Sequence, residues 1–453
     1  MNTIVEQAVS GIRHSKLLRL CLVGALSFLI LIPIMMIAWL VSDRQVRHDT
    51  VTAEVATSWG NTQAVTGPAL VVPYAVRFDE TSKHYAVFLA RSLRTKGRVN
   101  VESRKRGIFS VPVYTLKLSV EGDFGPLNLQ ELGIDPTSVD WSQTQLAVGI
   151  SDVRAIREQS AVTWNGQKMS FLPGTGNFRE GGSGIHAPVS VTAVTSAATF
   201  AFELSLNGST GVYVVPFAED TMVQLTSNSP NPSFQGSWLP TDRTVSEKEG
   251  FDATWKVSYL GRNYPQSWIA VPNEDRRKAI EASKFGVALS EPVDTYRMTE
   301  RSVKYAILFV ILTFASVWLI EIIAHTRVHP IQYLLLGTAM CVFYLLELSL
   351  AEHLRFSMAY GIACLAVVVM IGAYSRVIFR QARHTAVVTV GVTILYGYLF
   401  VLLTNEDAAL LVGSIGLFIS LAGIMFATRR IDWYGAEGST NSAPPLPAGD
   451  SRL

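Results

Sequence analysis

Charge is scarce in this sequence: Asp, Glu, Lys and Arg make up 16 % of 453 residues, against roughly 25 % in an ordinary soluble domain. The shortfall excludes a purely soluble chain and points to long apolar segments. Cysteine is scarcer still. The three cysteines, Cys21, Cys341 and Cys364, all fall in apolar runs. A disulfide framework in the polar part of the chain is thereby excluded, and so is any CxxC metal or redox motif; buried, each acts as a small apolar side chain. No HExxH, P-loop or GxSxG pattern occurs. No metal, cofactor or catalytic set is expected.

Six apolar runs are present: residues 20–41, 303–324, 331–351, 356–375, 385–403 and 408–428. Each is about 20 residues, enough to span a hydrocarbon core of roughly 30 Å. They are apolar all round, unlike the two-faced helices of a soluble core. The first run is too long for a signal peptide and ends in WLVSD, with no small-x-small cleavage site. It reads as an uncleaved anchor, and Pro33 within it is tolerable in a membrane helix. Cations flank alternate ends of the runs: Arg13, Lys16 and Arg19, then Arg327, then Arg376, Arg380 and Arg383, then Arg429 and Arg430. The positive-inside bias puts both termini in the cytoplasm and residues 42–302 on the opposite, periplasmic face of a bacterial inner membrane. Residues 1–19 form a cytoplasmic segment. Residues 429–453 form a short tail whose Pro, Ser and Gly content predicts disorder from 435.

The inserted region changes texture. Residues 43–56 continue the first helix in polar form. Then come β-branched and aromatic runs such as GPALVVPYAVRF and GIFSVPVYTLKLSVEGDF. In the second, Tyr114, Leu116, Leu118 and Val120 alternate with Thr115, Lys117 and Ser119, the period of a half-buried strand. Asn165-Gly166 and Asn207-Gly208 read as hairpin turns. Helix is expected only near 127–132 and 273–285. The fold class is therefore α+β: a six-helix transmembrane bundle with a large, β-rich, sandwich-like periplasmic domain between helices 1 and 2. From 43 to 302 there are 26 Lys plus Arg and 27 Asp plus Glu. This balance argues against a broad nucleic-acid surface.

Candidate chemistry is sparse. PGTGNFREGGSGIH holds Ser183 among glycines with His186 three residues on. A flexible loop between strands, a ligand loop and a catalytic pair are the readings open to it, the first favoured. Trp238, Trp255 and Trp268 read as core or lid aromatics. In the apolar runs, acids mark functional candidates. Glu321, His325 and His329 are spaced i, i+4, i+8 and share a face if the helix runs that far. Pro330 argues that it stops. Glu347 lies about one turn from the end of its run.

RSVKYAILFVILTF, HPIQYLLLGTAMCVFYLLELSLAEH and ATRRIDWY, with GPALVVPY, RKRGIFSVPVY and NPSFQGSWLPTDRTVSEKEGFDATW, resemble the signature segments of the bacterial inner-membrane CreD family over nearly the whole chain. The resemblance implies an inner-membrane protein tied to cell-envelope integrity and linked to a two-component regulatory system. It carries over no catalytic residue. Where Glu347 stands the family pattern resembles FYLLLLSLSEH, with leucine, so Glu347 reads as a snorkelling or bundle-facing substitution. Glu352 and His353 fit the pattern. They are candidates for docking the β domain on the membrane bundle, or for pH sensing through His353. The function expected is a non-enzymatic envelope-integrity protein whose β domain contacts an envelope protein or lipid. The alternative is a transporter or lipid-handling protein, with a membrane enzyme third. Gly337-x3-Cys341 and Gly416-x3-Ser420 permit close helix packing, but no inverted repeat is evident among the later helices.

Overall fold

The computed structural model describes residues 16–76, 79–191, 197–289, 295–323, 328–405 and 408–429. His325 and the tail from 430 onward lie outside them. Two compact units emerge, Arg47–Val293 and the combination of Met1–Val46 with Asp294–Leu453.

Along the chain, helix α1 (Lys16–Trp59) precedes β1 (Gln63–Val76), β2 (Asp79–Arg106), β3 (Phe109–Phe124), β4 (Gln145–Ile150), β5 (Ala161–Trp164), β6 (Gln167–Ser170), β7 (Leu172–Pro173) and β8 (Gly184–Pro188). β9 (Ala198–Ser209), β10 (Gly211–Val215), β11 (Ala218–Ser227), β12 (Pro232–Gly236), β13 (Asp242–Ser246), β14 (Gly250–Ser258) and β15 (Ser267–Ile269) follow. Helix α2 (Glu274–Ala282) and β16 (Phe285–Leu289) close the unit. The expected helical turn is present at Gln130–Leu132.

β2 organises the two sheets. Its first part pairs with β1, with Ala69 opposite Leu89. Its second part pairs with β3, from Ser92 opposite Asp123 to Arg106 opposite Phe109. One sheet runs β13-β14-β11-β2-β3-β9-β5-β6; the other is built on β1, with β10-β16-β12 and β4-β8-β7 around it. Pairing is antiparallel except for β1 with β10 and β11 with β2. The sheets share β2 and curl round one core, to which Leu70, Val72 and Phe88 contribute from one side and Leu116, Leu118, Phe200 and Leu204 from the other. The sandwich expected from the sequence is thus a nearly closed, barrel-like wrap.

The alternation read in β3 holds: Leu116, Leu118 and Val120 are buried while Lys117 and Ser119 are exposed. Asn165-Gly166 does form the β5–β6 turn, with φ of 46° and 82°. Asn207-Gly208 does not turn the chain. It lies inside β9, with Gly208 opposite Tyr114 of β3. A Cβ at Gly208 would run into the Tyr114 ring; the Tyr114 hydroxyl donates to Gly211 O at 2.7 Å. The glycine therefore makes room for a ring, and the chain bends later, at Thr210, with φ 58°, where it leaves β3 for the side of β1. The sequence before β1 is tied down by Asp152, 7 % exposed. Its carboxylate accepts from Asn61 N at 3.2 Å, Asn61 Nδ2 at 2.9 Å and Arg154 Nε at 3.0 Å. The hydrogen bond from Arg154 is the main reason that its pKa is lowered.

The other unit holds the apolar part of α1 with α3 (Thr295–Ile323), α4 (Pro330–Ala351), α5 (Phe356–Phe379), α6 (Ala382–Thr404) and α7 (Ala409–Thr428). Among the described residues six helices are long and apolar enough to cross a membrane. Pro33 sits inside α1. Gly337 permits a close crossing: a Cβ there would lie 2.8 Å from Ile30 of α1 and 2.9 Å from Phe314 of α3. Small residues at such crossings let apolar helices gain van der Waals contact without a hydrophobic driving force.

Candidate functional site

Three places carry polar side chains arranged by the fold. The first is the glycine-rich stretch from 173 to 186. Ser183 Oγ donates to Ile150 O at 2.7 Å, and His186 Nδ1 bonds Gly174 O at 2.7 Å. Each side chain is thus spent on backbone, and no hydrogen bond joins the two, so a nucleophile–base pair is not assembled. Nor is the stretch a loose connection. Phe178 is fully buried against Phe217 at 5.8 Å between ring centroids. Glu180, unremarked in the sequence, is the hub. Its Oε1 accepts from Arg276 Nε at 3.0 Å, Arg276 Nη2 at 2.8 Å and Trp268 Nε1 at 3.1 Å. Asn273 caps α2 by accepting from Arg276 N at 2.9 Å, which fixes the helix start that carries Arg276. A carboxylate and a guanidinium 5 % and 11 % exposed form a buried, charge-assisted pair. Trp255 and Trp268 are core residues, and Trp238 packs on that core.

The second place is a polar groove of about 810 Å³ on the face of the curled sheet opposite the core. It crosses β11, β2, β3, β9, β5 and β6. The outward residues of the alternating strands line it, among them Lys96, Arg98, Lys117, Glu203 and Lys168. Sequence reasoning missed it because the pairing that brings residues 98, 117 and 205 side by side is non-local.

The third place is the helical unit. Glu321 is buried and accepts from the Tyr333 hydroxyl of α4 at 3.0 Å. His329 lies outside any helix and so is not on the face of α3. His329 instead caps α4: its Nδ1 accepts from Ile331 N at 3.3 Å and Gln332 Oε1 accepts from His329 N at 2.9 Å. Pro330 occupies the first helical position, where no N–H is missed. Glu352 and His353 diverge. Glu352 faces Arg44 of α1 at 3.6 Å and accepts from Tyr296 of α3 at 3.4 Å; His353, in the turn after α4, is exposed and bonds Ser349 O in the last turn of that helix at 3.2 Å.

Glu347 does not snorkel. It is 0 % exposed and faces the bundle, where Oε2 accepts from Ser302 of α3 at 2.8 Å. Oε1 has no partner among the described residues, and neither have the Tyr344 and Tyr396 hydroxyls. Phe343, 4.3 Å from Tyr396 and 5.2 Å from Tyr360 between centroids, completes an aromatic packing of α4, α5 and α6.

Residues 15–434 match the family described as inner membrane protein CreD. The inner membrane protein CreD of Escherichia coli (strain K12) is 35 % identical over 416 residues, covering 90 % of this chain and 91 % of the relative. The chain belongs to the CreD family. The CreD-like segments now have structural roles. RKRGIFSVPVY is the β2–β3 hairpin, PGTGNFREGGSGIH carries the Glu180 hub, and HPIQY is the cap of α4. Glu347 is a buried contact that an apolar side chain suits.

Proposed function

We propose that this CreD-family chain is a non-enzymatic inner-membrane protein that supports cell-envelope integrity, with its sheet domain as the interaction module. The observation that carries the reading is the open groove across six strands, lined by charged, hydroxyl and amide side chains, beside which no group of His, Cys, Asp and Glu able to hold a metal stands among the described residues. The Lys and Arg distribution around the apolar helices supports a periplasmic position for this domain and cytoplasmic termini. The link to a two-component system that the CreD resemblance implies would make a signalling partner the recipient of whatever the domain senses. The test is in-cell crosslinking from photoreactive residues at Gln159, Ser183 and Trp238 in the full chain. Reproducible adducts to an envelope component from the domain are expected. No adduct from these three positions, beside adducts from a probe at Ser420 in the helices, would refute the reading.

A second reading, lipid handling, has one observation in its favour. A largely apolar cleft of about 360 Å³ opens between α3, α6 and α7, lined by Leu312, Thr313, Leu395, Ser420 and Gly423. Its dimensions suit part of an acyl chain, and lipid adducts from Ser420 would move weight to it.

A further inference from the structure

Some exposed cations of the sheet domain have acids to meet. Arg91 pairs with Asp123 at 2.7 Å, Arg106 with Glu54 at 2.8 Å and Arg277 with Glu274 at 2.6 Å. The groove departs from these pairs. Lys96, Arg98, Lys117 and Lys168 line it and make no ion pair among the described residues. Register makes the departure sharper. Arg98 of β2 lies directly opposite Lys117 of β3, and its other neighbour is Thr226 of β11. Lys96 sits between Ser119 and Gln224, and Lys117 is flanked on its far side by Ser205. Like charges directly opposite each other destabilise a sheet. Glu158 and Glu203 also line the groove, leaving two more cations than acids. A concave surface with uncompensated charge of one sign focuses its field on an incoming counter-charge.

The rest of the lining narrows the chemistry. It offers hydroxyls and amides, from Ser119, Thr163, Thr226, Gln159 and Gln224. Phe202 is the one ring in it, and that ring is buried in the core on the other face. Protein partners bind through aromatic or aliphatic anchors seated in apolar pockets, and this floor has none. A hydroxyl-rich polymer with spaced negative charges fits it better. We propose that the groove binds an acidic glycan strand, its carboxylates on Lys96, Arg98, Lys117 and Lys168 and its hydroxyls on the Ser, Thr and Gln side chains. This rests on the sheet domain being the interaction module and names what that module takes.

The test uses the full chain in nanodiscs of zwitterionic lipid. Polygalacturonate, a carboxylate-bearing glycan, is titrated beside neutral dextran, poly-L-glutamate and vesicles containing phosphatidylglycerol. Polygalacturonate is expected to bind, more weakly as salt rises, and dextran is not. The triple variant Lys96→Gln, Arg98→Gln, Lys117→Gln is expected to lose about tenfold in affinity. Arg98→Gln alone, which removes half of a repulsive pair and so leaves folding intact, is expected to lose part of it. Lys256→Gln, an exposed cation of β14 outside the groove, is expected to change nothing. No binding of polygalacturonate, or equal loss from Lys256→Gln, overturns the proposal. So does tighter binding of poly-L-glutamate or of the vesicles, which would assign the groove to an acidic polypeptide or a lipid surface. Failure here together with domain adducts in cells would leave the module reading standing, whereas failure of both would remove it.

Discussion

Glu180 of the sheet domain and Glu347 of the helical unit are both buried, and the two are held in opposite ways. Glu180 in the sheet domain meets a guanidinium and an indole N–H. Glu347 in the helical unit meets one serine hydroxyl and no cation among the described residues. Breaking a buried ion pair strands a charge, whereas an acid held by a single hydroxyl among apolar helices is replaceable by a side chain of matching bulk. The Glu180 pair is therefore part of what holds the sheet domain together, and Glu347 is dispensable to the helical unit.

The largest effect that would break this comparison is at Arg276. Arg276→Ala should cost about 3–5 kcal/mol, read as a lowered unfolding temperature of the full chain in detergent. A loss below that of an ordinary surface substitution would mean that Glu180 does not depend on its partner. Next comes Asp152, whose carboxylate joins Asn61 and Arg154. Asp152→Asn should cost about 1–3 kcal/mol near neutral pH. Since the folded pKa is depressed, its stabilisation is complete above the unfolded value of about 3.9 and is lost as pH falls through the lower folded value. Unfolding curves of wild type and variant should therefore converge below about pH 4. A gap that stays constant with pH would exclude the ionised carboxylate as the cause.

Glu347→Leu should act in the reverse sense and stabilise by about 1 kcal/mol or more. Thermal unfolding that moves down would show the carboxyl to be a needed contact. The smallest effect sharpens the same point. Ser302→Ala should cost about 1 kcal/mol in the native background and nearly nothing beside Glu347→Leu, a coupling that a double-mutant cycle reads directly.

What was legible in the sequence follows the range of the interactions involved. Six apolar runs declare six helices because each is a local composition. Asn165-Gly166 declares its turn because left-handed backbone is a property of two residues. Asn207-Gly208 has the same local form and misleads, since what uses Gly208 is Tyr114, 94 positions earlier in the chain. The depth of Glu347 can be counted from the end of its run, but the face it occupies cannot, and the face decides between lipid and bundle. The interval from Glu321 to His329 suggested a shared face that the place of His329 as the cap of α4 removes. Glu180 was hidden because Arg276 is brought to it from a distant helix. The groove was hidden by its register: Lys96 and Arg98 look like ordinary outward residues of a strand until Lys117 is placed beside them.

The proposed reading makes the sheet groove, and not Glu347 of the helices, the seat of function. Complementation of a strain lacking the gene tests this most directly, scored as survival under detergent challenge to the envelope, with membrane levels of each variant checked by immunoblot. The account predicts that Glu347→Leu restores survival fully, and that the Lys96, Arg98 and Lys117 triple glutamine variant fails at equal abundance. A functional triple variant beside a dead Glu347→Leu would contradict it.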